Sequence, residues 1–544
     1  MSTRRQNTTL IATLGWLLIC IVALLLAASV ATAQTARDDS PMGFDDARHL
    51  LSRTSFAAQT ADIENYARLT RAEAVDRLLA ETRRHAAYPA PAWTAKYERV
   101  YRPDMTQEQR MQANRRELIE RGLEIRTWWV AEMLSTPTPL TEKMTLFWHN
   151  HFATSQQKVR SAQLMYRQNV LLRSYALGNF GALLRDISKD PAMLVYLDGA
   201  QNRKGAPNEN FARELMELFT LGEGQYNEAD IKEVARAFTG WSLEPETGEF
   251  RFRRGIHDDG EKTVFGARGR LNGDDIVTLL LRQPGTGEFI VGKLWQEFVS
   301  PELSPAAVKR LAALWRDSNY EIKPLMRAML LSDDFWSPAN RASLVKSPVD
   351  LVIGSLRQFR FSVEDPAPFA IILRQLGQDL FGPPNVKGWP GGEAWLNTTT
   401  LLARKGFLNR LFRADEMLKP TLAAGDDMAG KQDMVAQPAA ALIDRDMMGE
   451  RRQRAQTRLA VRGGAADRLP PFGVNNQLRG QYFFNADEWF AQMPTSMQGG
   501  RSGVDDDRIV RTLLAGPPVQ APREVPHTLA GLRTVALDPM YQLK

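Results

Sequence analysis

Asn208-Glu209-Asn210-Phe211-Ala212-Arg213-Glu214-Leu215-Met216-Glu217-Leu218-Phe219-Thr220-Leu221 is the stretch whose period decides the fold class. Phe211, Leu215 and Leu218 recur as one apolar helical stripe, and Asn210, Glu214 and Glu217 follow i, i+4, i+7 beside it. The same helical period runs through most of the chain, whereas strand patterning is sparse. Helices are expected early at 45–52, 58–66 and 71–82, then as one long charged helix over 107–132. Thr136-Pro137-Thr138-Pro139 breaks the pattern, and Thr141 is expected to cap a helix running to His149. Phe250-Arg251-Phe252-Arg253 alternates with period two, and with Lys262-Thr263-Val264-Phe265 it predicts a short hairpin around His257. The expected fold is mainly α: a large multi-helix domain with a small β-hairpin and a flexible insertion.

The first 33 residues read as a processing segment. Arg4 and Arg5 precede an uncharged apolar run, and Ala31-Thr32-Ala33 fits a small-residue cleavage site. Cleavage before Gln34 would send the rest to the periplasm or outside the cell. Retained, the run is long enough to anchor the chain in a bilayer, and this would be its only membrane contact. The single cysteine, Cys20, lies within that run, so residues beyond it offer no disulfide, thiol nucleophile or cysteine-held metal. The main helical domain is expected over 34–418. From 419 to 470 the texture turns to Ala, Gly, Met, Asp and Arg, which reads as a low-complexity insertion or linker. Helices return over 471–544 and are expected to pack on the main domain.

The formal charge of +6 becomes +4 without Arg4 and Arg5. Over so long a chain this excess is small, and no Lys/Arg stripe interleaves with aromatics, so nucleic-acid binding has no support. A Gly-x-Ser-x-Gly elbow, a phosphate loop, a dinucleotide fingerprint and a His-Glu-x-x-His pair are all missing.

Four clusters carry the chemistry. Beside the opening stretch stand Glu142-Lys143-Met144-Thr145-Leu146-Phe147-Trp148-His149-Asn150-His151 and His257-Asp258-Asp259-Gly260-Glu261-Lys262. The fourth is Pro383-Pro384-Asn385-Val386-Lys387-Gly388-Trp389-Pro390-Gly391-Gly392, followed by Trp395-Leu396-Asn397. Together, in this order, they resemble the bacterial family known as domain of unknown function 1800. The likeness extends from His49-Leu50-Leu51-Ser52-Arg53 to Ala536-Leu537-Asp538-Pro539-Met540-Tyr541-Gln542, with 419–470 as the departure. The resemblance implies export, a large helical domain and genomic pairing with an exported sulfatase-like partner protein. It implies no catalytic residue.

Function must therefore be read from side chains. Glu214 and Glu217, one turn apart near an apolar wall, suit an acid–base pair, with Glu209 and Arg213 orienting them. The alternative is an amphipathic helix whose charges lace neighbouring helices together. His149 and His151 would point apart on one helix but together in an extended segment, and the helix is expected to end between them. Joined by His257 and Asp258, they could then hold a divalent metal. Otherwise they are capping or buried histidines. Trp389 and Trp395 could form a sugar-stacking wall, with Asn208, Asn385 and Asn397 bonding hydroxyls, or the loop could be a structural plug. Two functions stand: an envelope enzyme acting on a glycan or other polymer, or a non-catalytic assembly or binding partner of another exported protein.

Overall fold

The computed structural model describes residues 40–416, 482–498, 501–521 and 524–544. The expected signal segment, 1–33, and the expected insertion, 419–470, lie outside the described residues. Helices dominate what is described, and the strands form four separate two-stranded antiparallel ladders. The mainly α expectation holds. Among the described residues no helix is long and apolar enough to cross a membrane.

Two apolar cores organise the helices. The first gathers Leu50, Trp148, Phe180, Leu215, Leu294, Trp315 and Leu325. The second gathers Trp129, Ile353, Phe359, Phe381, Phe412 and Tyr541. Pro139–His151 sends Leu140, Met144 and Trp148 into the first core, while Leu146 packs against the second. This helix is therefore the shared wall of the two halves. It is riveted by Glu142, whose carboxylate accepts from Arg173 Nε at 2.6 Å and Nη2 at 2.9 Å, and from Trp129 Nε1 at 2.9 Å. Both charged side chains are about 1 % exposed. A paired charge in that setting specifies position more than it adds stability.

The segments from 482 onward join the second core. Tyr482–Phe483 pairs with Ser362–Val363, Trp489 donates to Gln358 O at 2.9 Å, and buried Tyr541 meets Ser355 Oγ at 2.9 Å.

Three local expectations need correction. The long charged helix divides into Gln107–Arg115, a π-helical turn at Arg116–Glu120, and Arg121–Ser135. The turn places Glu117 in the interior, where it accepts from Ala162 N at 3.0 Å and Arg121 Nη1 at 2.9 Å. Such a bulge re-aims one side chain at the cost of regular bonding. The expected hairpin around His257 is two ladders instead. Phe250–Phe252 pairs back with Trp241–Leu243, and Lys262–Val264 pairs forward with Ala267–Gly269. Finally, the helix after the proline break starts at Pro139, where a missing N–H costs nothing, and continues through His151.

Candidate functional site

Because Pro139–His151 is helical to its end, His149 and His151 leave the axis in nearly opposite directions. His149 is wholly buried among Trp129, Phe381 and Trp389, with ring centroids 5.3, 5.4 and 5.6 Å away. Neither ring nitrogen has a hydrogen-bond partner among the described residues. Burial, then the charge of Arg126, brings its pKa down to about 3, so the ring is neutral.

His257 is engaged elsewhere, its Nδ1 lying 2.7 Å from Thr239 O. Asp258 accepts from Arg236 Nε at 2.8 Å and Nη2 at 3.2 Å, and that contact holds its carboxyl down at about 2. The expected metal set of His149, His151, His257 and Asp258 is thus not assembled. No group of three or more His, Cys, Asp or Glu side chains is placed to hold a metal among the described residues.

The tryptophan wall is corrected as well. Trp389 and Trp395 are 4 % and 5 % exposed, so neither offers a stacking face to solvent. Gly388 lets the loop press onto the Pro139–His151 helix. Its φ is +89°, and a Cβ there would stand 2.3 Å from Asn150 Oδ1. In return Asn150 Oδ1 accepts from Trp389 N at 2.6 Å. Asn385 and Asn397 secure local turns, accepting from Lys387 N and Thr400 N, each at 2.9 Å. Asn208 caps its helix by accepting from Asn210 N at 2.9 Å, and its amide donates to Asp198 O at 3.1 Å.

On the opening helix, Glu209 and Arg213 lie 3.6 Å apart, and Arg213 reaches Glu228 at 3.1 Å. These are exposed pairs of small energetic value. Glu217 accepts from Tyr226 Oη at 2.7 Å. The Glu214 side chain is half-buried and makes no hydrogen bond among the described residues; burial, then the Glu217 carboxylate, raises its pKa. Lys387 acts on Glu214 in the opposite sense and pairs with Glu223 at 3.4 Å.

Lys387 also stands on the rim of a polar cleft of about 440 Å³ between the two cores. Lys143, Asn150 and His151 line it from one helix, and Lys293, Gln296 and Glu297 from Pro284–Phe298. The loop contributes Pro390 to Gly392 and Trp395. Its far wall is an ion cluster: Asp350 accepts from Lys143 Nζ and Lys544 Nζ, each at 2.7 Å, and Lys544 reaches Glu297 at 3.2 Å. Burial alone would raise the Asp350 pKa, but the two ammonium groups hold it well below the usual carboxylate range.

Lys293 differs from those lysines because no carboxylate pairs with it among the described residues. Its amine lies 3.3 Å from His151 Nδ1, donates to Leu218 O at 3.3 Å and sits 4.6 Å from the Phe289 ring centre. Burial brings its pKa down to about 8. His151 is 4 % exposed, with Nε2 3.1 Å from Phe219 O. A carbonyl must be met by N–H, which assigns the proton to Nε2 and leaves the Nδ1 lone pair facing Lys293. Burial, then Lys293 itself, pushes the imidazole pKa well below its ordinary range. The carbonyls that orient both groups, Leu218 O and Phe219 O, end the opening helix. The turn that follows Glu209–Glu217 thus serves the cleft through its backbone, whereas Glu214 is not part of the cleft lining.

Sequence reading singles out His151 and Trp395 here but misses Lys293, Asp350 and Lys544. A lone lysine on an amphipathic helix looks solvated, and nothing in Gly287-Glu288-Phe289-Ile290-Val291-Gly292-Lys293 signals a buried amine.

No curated protein and no solved structure is a significant match to the chain. The family model described as protein of unknown function (DUF1800) matches residues 49–478. Spanning most of the sequence, that match makes the chain a member of this family.

Proposed function

We propose that the protein is an exported envelope enzyme that modifies or hydrolyses a glycan or other polymer in the cleft, with Lys293 as its general base and His151 positioning it. The observation that carries this reading is the Lys293 amine, desolvated, unmatched by a carboxylate among the described residues and bonded to a neutral imidazole. A base works best when its pKa lies near the working pH. Neutral Lys293 would take a proton from a water or a substrate hydroxyl, and His151 Nδ1 would hold the amine in place. Lys387 would attract a carboxylate or phosphate on the polymer, and the amides of Asn150, Gln296 and Gln378 would meet its hydroxyls. Export rests on Ala31-Thr32-Ala33 and on a chain whose only cysteine lies within the leader.

The test is release of product from envelope polymers. Wild type and Lys293→Met would be incubated with peptidoglycan fragments, acidic polysaccharide and lipopolysaccharide, and the products weighed by mass spectrometry. Lys293→Met should lose activity by about 10²–10⁴-fold. Equal turnover by both proteins, or none with any polymer, refutes the proposal.

A second reading, a binding partner of another exported protein, is favoured by one surface. Met111, Ile119 and Leu123 are 60 %, 61 % and 37 % exposed. Leu123 also lines an apolar groove with Tyr88, Pro89 and Pro91. Substituting Ile119 and Leu123 with Ser should abolish capture of a partner, such as a sulfatase-like protein, without touching the cleft.

A further inference from the structure

Behind the Asp350–Lys544 wall lies a second, much smaller cavity of about 20 Å³, lined by Arg48, Ser52, Lys346, Asp350, Thr512 and Lys544 among others. That is room for one water-sized particle and too little for sulfate, phosphate or a carboxylate.

Its walls are unbalanced in charge. Lys544 is paired with Glu297 as well, which leaves Arg48 and Lys346 facing one side-chain carboxylate of the lining, Asp350. That carboxylate is already committed: Asp350 Oδ1 accepts from Lys143, and Oδ2 from Lys544 at 2.7 Å and Ser347 N at 3.1 Å. Arg404 stands close behind, donating from Nη2 to Lys346 O at 2.6 Å while Nη1 finds no partner among the described residues.

Two donors on the cavity wall are also unmatched. Arg48, 8 % exposed, spends Nη2 on Ala515 O at 2.8 Å, but its Nε has no partner among the described residues. Thr512 Oγ1, in a residue 2 % exposed, has none either. Lys346 Nζ lies 3.8 Å from the Tyr541 ring centre, a contact that supplies no counter-charge. Burial brings its amine down to about 7. Buried donors left unmatched beside two cationic side chains are costly, and one anion would satisfy both.

We propose that this cavity is a binding site for a monatomic halide, chloride in its natural setting, held by Arg48, Lys346 and Thr512. A bound halide would lock Gly43–Thr54 to the Asp506–Leu513 helix and to the 346–350 segment. The same ion would fix the back of the cluster whose front lines the cleft.

The experiment compares the full protein in chloride and in gluconate at equal ionic strength, and crystals grown in bromide. Saturating chloride should raise Tm by about 2–3 °C, as expected for a site filled at a hundred times its Kd in a chain of this size. Bromide should give an anomalous peak between Arg48 and Lys346. Lys346→Met should remove both effects. Thr512→Val, nearly isosteric, should weaken halide affinity at least several-fold while leaving the protein folded. Equal Tm in the two salts, or density for a water alone with no bromide peak, overturns the site. Neither result depends on Lys293, so its failure is separable from failure of the proposed activity.

Discussion

His149 offers a direct test of whether the conspicuous histidines are chemistry or architecture. Its ring is neutral in the folded protein at a pKa of about 3, because burial disfavours the imidazolium. In the unfolded chain the same ring titrates near 6.5. The native pKa is the depressed one, so its stabilising contribution is complete above pH 6.5 and is lost as pH falls from 6.5 towards 3. At pH 7.5 the unfolded chain gains less than about 0.1 kcal/mol from protonating this ring. At pH 5 it gains about 2 kcal/mol, two pH units before the folded ring can respond. His149→Leu removes that term while His49 and His151, also depressed by burial, remain in both proteins and cancel. Leucine suits a pocket of Trp129, Phe381 and Trp389 and leaves no unmatched nitrogen. The variant should be at least as stable as wild type at pH 7.5, and its relative stability should rise by about 2 kcal/mol at pH 5. Urea unfolding followed by circular dichroism, at both pH values and with matched slopes, measures this. A difference that stays the same at the two pH values would refute a buried neutral ring. A loss of zinc-dependent stabilisation in the variant would restore the ligand assignment.

Three further outcomes follow from the same contacts. Gly388→Ala should cost roughly 1–2 kcal/mol from the left-handed backbone alone, and more as its Cβ meets Asn150 Oδ1; a lowered Tm with altered tryptophan emission checks it. Arg173→Met strands the buried Glu142 carboxylate and should destabilise by about 3–5 kcal/mol, read from urea midpoints. Adding Glu142→Gln to it should recover part of that loss. The Lys293 amine, labelled by ¹³C reductive methylation, should titrate near 8 by NMR, well below the bulk of the lysines; a pKa near 10 would show that the amine is solvated.

What was legible in the sequence divides along a physical line. Period and punctuation are local, so the apolar stripe of Phe211, Leu215 and Leu218 and the proline at 139 announce their helices without help from the rest of the chain. The strand partners of Phe250–Phe252 and Lys262–Val264 are not local in that sense. Both segments choose neighbours nearer in sequence than each other, because each has a tight return beside it. The family resemblance rested on motifs whose commonest use proves to be docking: Asn150 against Gly388, Trp389 against His149, Asp258 against Arg236. The cleft is harder to read, because it joins residues 143–151, 293–297, 350, 387–395 and 544. Its distinctive property, an amine with no paired carboxylate among the described residues, is a statement about what does not surround Lys293. No spacing rule encodes the absence of a carboxylate. The sequence motifs therefore mark the scaffold around the cleft, and Lys293, the group proposed to react, is a residue that they leave unmarked.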